Sequence, residues 1–287
     1  MSFGIAMSGG GAKGAAHIGV LKALEENNLF PSSISGTSIG AIIGGLYAIG
    51  YTPNKLENIL KYFSKNYFMF LDPCYPQYAY SVMQLLTRST ITMPGLIRGN
   101  KIEKYLKNLT HSKHIKDTNM RFIAPCVDLM TSKIIAYTNT LNNLSDMENV
   151  EWKNDAALSE VMRASSSLPA IFYPKKIGKY LLIDGGISDN LPINLLWNAN
   201  EKNILAVDLS QDYKKPQNTG IFELTMHTIE IMQLNSKKNL IGKEKFLLTL
   251  NFSEEIDLLD FKNMNKLVKV GYNATTEIIP QLKLLFS

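Results

Sequence analysis

The sequence predicts an α/β fold: a mostly parallel central sheet with helices on both faces, carrying a helical insertion. Three observations lead there. Short apolar runs alternate along the chain with segments of helix spacing, the pattern of a covered parallel sheet. Two glycine-rich turns each join a strand-like run to a helix-like one. The stretch from about 52 to 118 has no strand pattern and is dense in aromatic residues.

Each element follows from its residues. Phe3 to Ser8 is a short buried strand, and Ala15 to Asn27 places Ile18, Leu21 and Leu24 at helical intervals. Ser32 to Ser35 reads as a second, polar strand. The helix after it, to about Gly50, sets Gly40, Gly44 and Ala48 on one face. Strands return at Arg121 to Val127 and Lys133 to Tyr137 as a hairpin. A helix around Ala156 to Ala164 then precedes the strands Tyr180 to Ile183 and Ile204 to Leu209. A helix from Phe222 to about Leu234, a strand at Phe246 to Leu250 and a helix from Met264 to Leu285 complete the chain. With no repeat or linker, one domain over residues 1–287 is expected, residues 211–287 resting on pattern alone.

Composition narrows the function. Hydrophobic residues are 45% and charged ones 19%, ordinary for a protein with a substantial core. The net charge of +5 suits an anionic membrane surface, but no dense basic run marks a nucleic-acid partner. Cys74 and Cys126 are far apart and outside any metal-ligand spacing, so two free thiols are expected. His111 and His114 lack a third ligand and read as surface residues. Met1-Ser2-Phe3-Gly4 enters a strand directly, so no secretory signal is expected. The apolar segment Ile39 to Tyr51 is too short to span a bilayer. A cytoplasmic protein is the expectation, with a peripheral membrane location as one option.

Chemistry enters at three places. Gly36-Thr37-Ser38-Ile39-Gly40 fits the nucleophile elbow, in which a serine sits on a strained strand-to-helix turn and flanking glycines avoid a clash across it. Gly9 to Gly14 spells a dinucleotide fingerprint, but no carboxylate ends the second strand to hold a ribose. A phosphate loop fails because Ala15-Ala16 follow Gly14. An oxyanion hole remains, since consecutive glycines let several N–H groups face one point; a plain tight turn is the alternative. Ser38 also needs a base. His227 lies inside a helix pattern, whereas Asp184 directly follows an apolar strand, is expected at the C-terminal end of a parallel strand, and precedes Gly185-Gly186. Asp128 and Asp208 also follow strands, without paired glycines, and read as structural hydrogen-bond acceptors.

Gly-Gly-Gly-Ala-Lys-Gly from Gly9, Gly-Thr-Ser-Ile-Gly and Asp-Gly-Gly, in this order, resemble the patatin-like phospholipases. Ala164 to Pro174 and Asp189-Asn190-Leu191-Pro192 are similar to further blocks of that family. The resemblance covers roughly residues 3 to 210. It implies a three-layer α/β/α fold, a Ser38–Asp184 dyad, an oxyanion hole of the Gly9, Gly10 and Gly11 amides, and no cofactor or metal. It further implies a lipid or fatty-acyl ester substrate, with transient membrane-surface contact. Lys13 stands where the family has Arg or Lys, and a structural or phosphate-facing role is expected for it. Oligomeric state is left open, a homodimer being one option. The aromatic stretch Tyr62 to Tyr80 is expected at the mouth of the lipid site, with burial in the core as the competing reading.

Overall fold

The computed structural model describes residues 2–87, 90, 92–211, 213, 220–238, 242–253, 256 and 260–286. Among these, the strands are β1 (Gly4–Met7), β2 (Ser33–Gly36), β3 (Arg121–Asp128), β4 (Ile134–Thr138), β5 (Val150–Lys153), β6 (Lys175–Ile177), β7 (Tyr180–Asp184), β8 (Ile204–Asp208) and β9 (Phe246–Thr249). They form one sheet in the order β5-β4-β3-β2-β1-β8-β9, with β7 also on β3 and β6 on β7. β3, β2, β1, β8 and β9 run parallel to one another, as expected. The β3–β4 hairpin forms. β5 and β6 were not legible: each is short, half-buried and without an apolar run.

Period-2 alternation sorts the strand side chains into two cores. Ile5 and Met7 of β1 join the larger one, and Ala6 between them joins the smaller. Over the larger lie α1 (Ala15–Glu26), α2 (Ile39–Ala48), α6 (Leu158–Ser165) and α9 (Met264–Phe286), while α7 (Ile193–Asn198) covers the smaller. Helices therefore cover both faces, unevenly. β2 tolerates its polar sequence because its buried hydroxyls are satisfied. Ser33 Oγ donates to Glu201 at 3.0 Å and Ser35 Oγ to the Pro192 carbonyl at 2.8 Å.

α9 crosses α1 with the two backbones almost in contact. A Cβ on Gly19 would lie 1.9 Å from the Val268 oxygen, and one on Gly271 would lie 2.0 Å from that of Ala16. Gly271→Ala is expected to cost about 1–3 kcal/mol by forcing the helices apart. Denaturant unfolding measures this, and an unchanged midpoint would refute the crossing.

The region read as helical holds α3 (Pro53–Phe70), α4 (Tyr75–Leu86) and α5 (Asn100–Leu109). Pro73 and Pro76 divide it as their chemistry requires: α3 stops at Phe70, and Pro76 sits in the first turn of α4, where its missing N–H costs nothing. The remaining helix, α8 (Ile221–Lys238), lies between β8 and β9.

The direction of β7 departs from expectation. It runs antiparallel to β3, pairing Cys126 with Asp184, so Asp184 does not end a parallel strand. An apolar run reads the same in either direction. The turn at Gly178, in the left-handed region at φ 57°, returns β7 along β6 and sets its sense.

Candidate active site

β3 outlasts β2, and that difference builds the site. β2 pairs with β3 only along Arg121 to Ile123, after which the chain turns off through Gly36, Thr37 and Ser38. β7 fills the vacated edge from the opposite direction and ends at Asp184 beside Cys126. Two strand ends thus converge along one edge of β3, one delivering Ser38 and the other Asp184.

Ser38 adopts φ 55° and ψ −119°, the strained elbow that the sequence implies. A Cβ on Gly36 would lie 2.3 Å from the Gly40 oxygen, and one on Gly40 would lie 2.6 Å from that of Met7, so both flanking glycines are required. Ser165 pins the turn: its hydroxyl accepts the Ser38 N–H at 3.1 Å and donates to the Pro125 carbonyl at 2.7 Å. Sequence reasoning assigned Ser165 no role, because nothing local reveals a contact between residues so far apart in the chain.

Asp184 is buried. Its Oδ1 accepts the Gly186 N–H at 2.8 Å, and the Ser38 hydroxyl is its neighbour. Burial pushes the carboxyl up to about 6, against the opposing pull of the Gly186 N–H and the Ser38 hydroxyl. Asp128 and Asp208 both accept hydrogen bonds, as expected, and Asp208 also lines the cavity into which Ser38 opens. Asp128 accepts from the Leu181 N–H at 2.9 Å and the Thr131 hydroxyl at 2.7 Å, and Asp208 from the Ser210 N–H and hydroxyl.

The glycine turn follows β1 and lies against the elbow. Of the three amides expected to form an oxyanion hole, that of Gly9 is committed to the Asn190 carbonyl at 3.0 Å. Extending the β1 line into the Asp189-Asn190 segment uses up this donor. Among the described residues the Gly10 and Gly11 amides have no such partner, and both line the cavity beside Ser38. His17 braces the loop from behind, its Nε2 meeting the Ser8 carbonyl at 2.8 Å; burial lowers its pKa to about 4 and keeps the ring neutral.

Ser38 and Asp184 open into a cavity of about 920 Å³. One wall is aliphatic and aromatic, from Ile42 and Leu46 of α2, Leu60 and Phe63 of α3, and Tyr105 of α5. The other, from α8, is mixed, with Met226 and Ile229 beside Glu223, His227, Glu230 and Gln233; Lys13 also lines the cavity. His227 is therefore on a cavity wall and not merely packed in a helix. Its ring lies between Glu223 and Glu230, 3.9 and 3.5 Å away. The aromatic stretch divides. Phe70 is buried against Phe63 at 5.1 Å, so it belongs to the core, while Phe68 and Met69 are exposed; within Tyr62 to Tyr80 only Phe63 lines the cavity. His111 and His114 lie far along the chain from this wall and do not line it.

Asp189 is a second buried carboxyl, raised to about 7 by burial, with no partner for Oδ1 among the described residues. Its folded pKa lies above the unfolded value, so its contribution to stability is present at low pH and lost as pH rises toward 7. Asp189→Asn is expected to flatten the stability profile between pH 4 and 7 and to raise stability at pH 8. Melting curves across that range test this, and a profile parallel to wild type would contradict it.

An elbow serine at the end of a parallel strand, faced by a buried carboxyl and a glycine turn, thus sits in a mostly parallel sheet with helices on both faces. The model of the family described as patatin-like phospholipase matches residues 5–197, and the chain belongs to that family. It is 30% identical over 226 residues to the lysophospholipase NTE1 of Debaryomyces hansenii, covering 76% of this chain and 12% of that protein. An uncharacterized NTE family protein of Mycobacterium bovis is 27% identical over 206 residues, 72% of this chain and 48% of the other. The chain thus spans less than half the length of either relative. The crystal structure of VipD from Legionella pneumophila shares the fold, with a TM-score of 0.52 at 15% identity over 98% of this chain and 67% of that one.

Proposed function

We infer that this chain is a lipid acyl hydrolase that cleaves carboxylic esters through a Ser38–Asp184 dyad. The observation that carries the reading is the strained elbow serine, Ser38, lining one large, mainly apolar cavity together with the buried carboxyl of Asp184. A free Asp, with a pKa of about 3.9, is a weak base; raised to about 6, Asp184 is better matched to taking a proton while still ionised at neutral pH.

Asp184 accepts the Ser38 proton as Oγ attacks the ester carbonyl carbon. The resulting oxyanion lies against the Gly10 and Gly11 N–H groups, and the dipole of α2 points toward the same place. Collapse expels the alcohol, which takes the proton held by Asp184, and leaves an acyl group on Ser38. Water then attacks this ester, giving its proton to Asp184, and Ser38 regains a proton as the fatty acid leaves. The apolar wall suits an acyl chain. No step calls on a metal or a cofactor.

The name of the Debaryomyces relative supports lysophospholipids as the first substrates to try. A panel of phospholipid, lysophospholipid, glycerolipid and simple ester, run with wild type and Ser38→Ala in parallel, is the test. Release of fatty acid by the wild type alone supports the reading. Equal release by both, or by neither on every substrate, would overturn it.

A further inference from the structure

We propose that α4 is a docking element for an anionic phospholipid bilayer, lying on the membrane while the rest of the molecule stays in water. Its polarity is inverted. The inward residues of α4 are Ser81 and Gln84, whereas Tyr75, Tyr80, Val82, Met83, Leu85 and Leu86 are exposed. With 3.6 residues per turn, those six cover roughly 220° of the helix circumference. Leu85 and Leu86 are 63% and 78% exposed.

The attachments of α4 are polar as well. The Gln77 amide and the Tyr78 hydroxyl donate to the carbonyls of Thr92 and Leu96, and Gln84 Oε1 accepts the Thr92 N–H at 3.0 Å. A helix held by its polar side chains, with its apolar ones in solvent, is the reverse of a surface helix in water. It is the arrangement a nonpolar surrounding would favour.

Lipid is the occupant that the charges and the neighbourhood select. α4 holds no charged residue at all. Residues 53–109 carry eight Lys or Arg against three Asp or Glu, a net +5, which is the whole net charge of the chain. A charge-free apolar helix within a cationic region matches acyl chains beneath anionic headgroups. The exposed arc is convex and wider than a helix–helix seam. Phe68 and Met69 at the end of α3, and Met93 in the loop after α4, add further exposed apolar side chains. That loop also bonds to the cavity wall, since the Leu96 and Ile97 N–H groups donate to the Ile171 carbonyl. Docking would place the membrane beside that wall. The proposal rests on the hydrolase reading only for the delivery of lipid, not for the binding.

The test uses the full chain carrying Ser38→Ala, so that vesicles remain intact, floated with vesicles of phosphatidylcholine mixed with phosphatidylglycerol. Adding Leu85→Ser and Leu86→Ser is expected to lower the vesicle-bound fraction at least about tenfold. Raised salt or vesicles of phosphatidylcholine alone are expected to weaken binding of the parent. In the Ser38 background, the same pair is expected to leave melting temperature and soluble-ester hydrolysis unchanged. Vesicle binding insensitive to the pair would overturn the proposal. So would a solution dimer that the pair converts to monomer, which would assign the face to a second copy. A lowered melting temperature with equal loss on soluble ester would make α4 part of the fold and reject docking. Binding through α4 by a wild type that releases no fatty acid would leave docking standing and remove the hydrolase reading alone.

Discussion

Ser38→Ala is expected to lower kcat on a short-chain aryl ester by at least about a thousandfold while leaving the fold intact. Loss of a nucleophile that acts as a unit with its base costs several orders of magnitude. The fold should tolerate the change because alanine keeps the Cβ and adds no new contact. The elbow strain, at φ 55°, is the same for both residues and is held by Ser165 through the backbone N–H of position 38. Burst kinetics and a thermal melt measure the two halves of this expectation. Retention of more than a few per cent of activity would exclude Ser38 as nucleophile.

Asp184→Asn is expected to lose activity to a similar extent and, unlike Ser38→Ala, to gain stability at neutral pH. The buried carboxyl is raised from its ordinary value of 3.8 to about 6. Its folded pKa lies above the unfolded one, so protonation favours the fold: stability is fully present below about pH 4 and is lost as pH rises through 6. At one pKa unit to 1.36 kcal/mol, removing the charge could recover up to about 3 kcal/mol above pH 7. Activity of the wild type runs the other way, with kcat/KM rising as pH passes about 6 and the base ionises. A pH–rate profile and paired melts at pH 5 and pH 8 check both signs. His227→Ala, His111→Ala and His114→Ala are expected to keep most activity. A histidine variant as inactive as Asp184→Asn would replace the dyad with a triad, and His227, on the cavity wall, is the one placed to do so.

What could be read before folding was local. G-x-S-x-G specifies its own strained turn, because only glycine fits at Gly36 and Gly40 once the turn is made. The alternation of apolar runs and helical spacing is likewise a property of neighbours in the chain, so the parallel strands and most helices were legible. Asp184 stood out by its neighbours too, an apolar run before it and two glycines after. Its strand direction did not, because the hydrophobic pattern of β7 is the same read either way, and the sense depended on pairing with β3.

By itself, then, the sequence determined the fold class, the elbow at Ser38 and the patatin-like family to which the chain belongs. Tertiary structure decided the rest. It committed the Gly9 amide to the Asn190 carbonyl, whereas among the described residues the Gly10 and Gly11 amides have no such backbone partner beside Ser38. It buried Phe70 and exposed Phe68 in one aromatic run, and it turned the apolar side of α4 outward. The physical reason is the same in each case. Propensity and turn chemistry act between residues a few positions apart, whereas hydrogen-bond commitment and burial depend on which distant segments meet. Asn190 and Gly9, or Thr92 and Gln84, come together only when the chain folds, and nothing in either segment alone encodes the other.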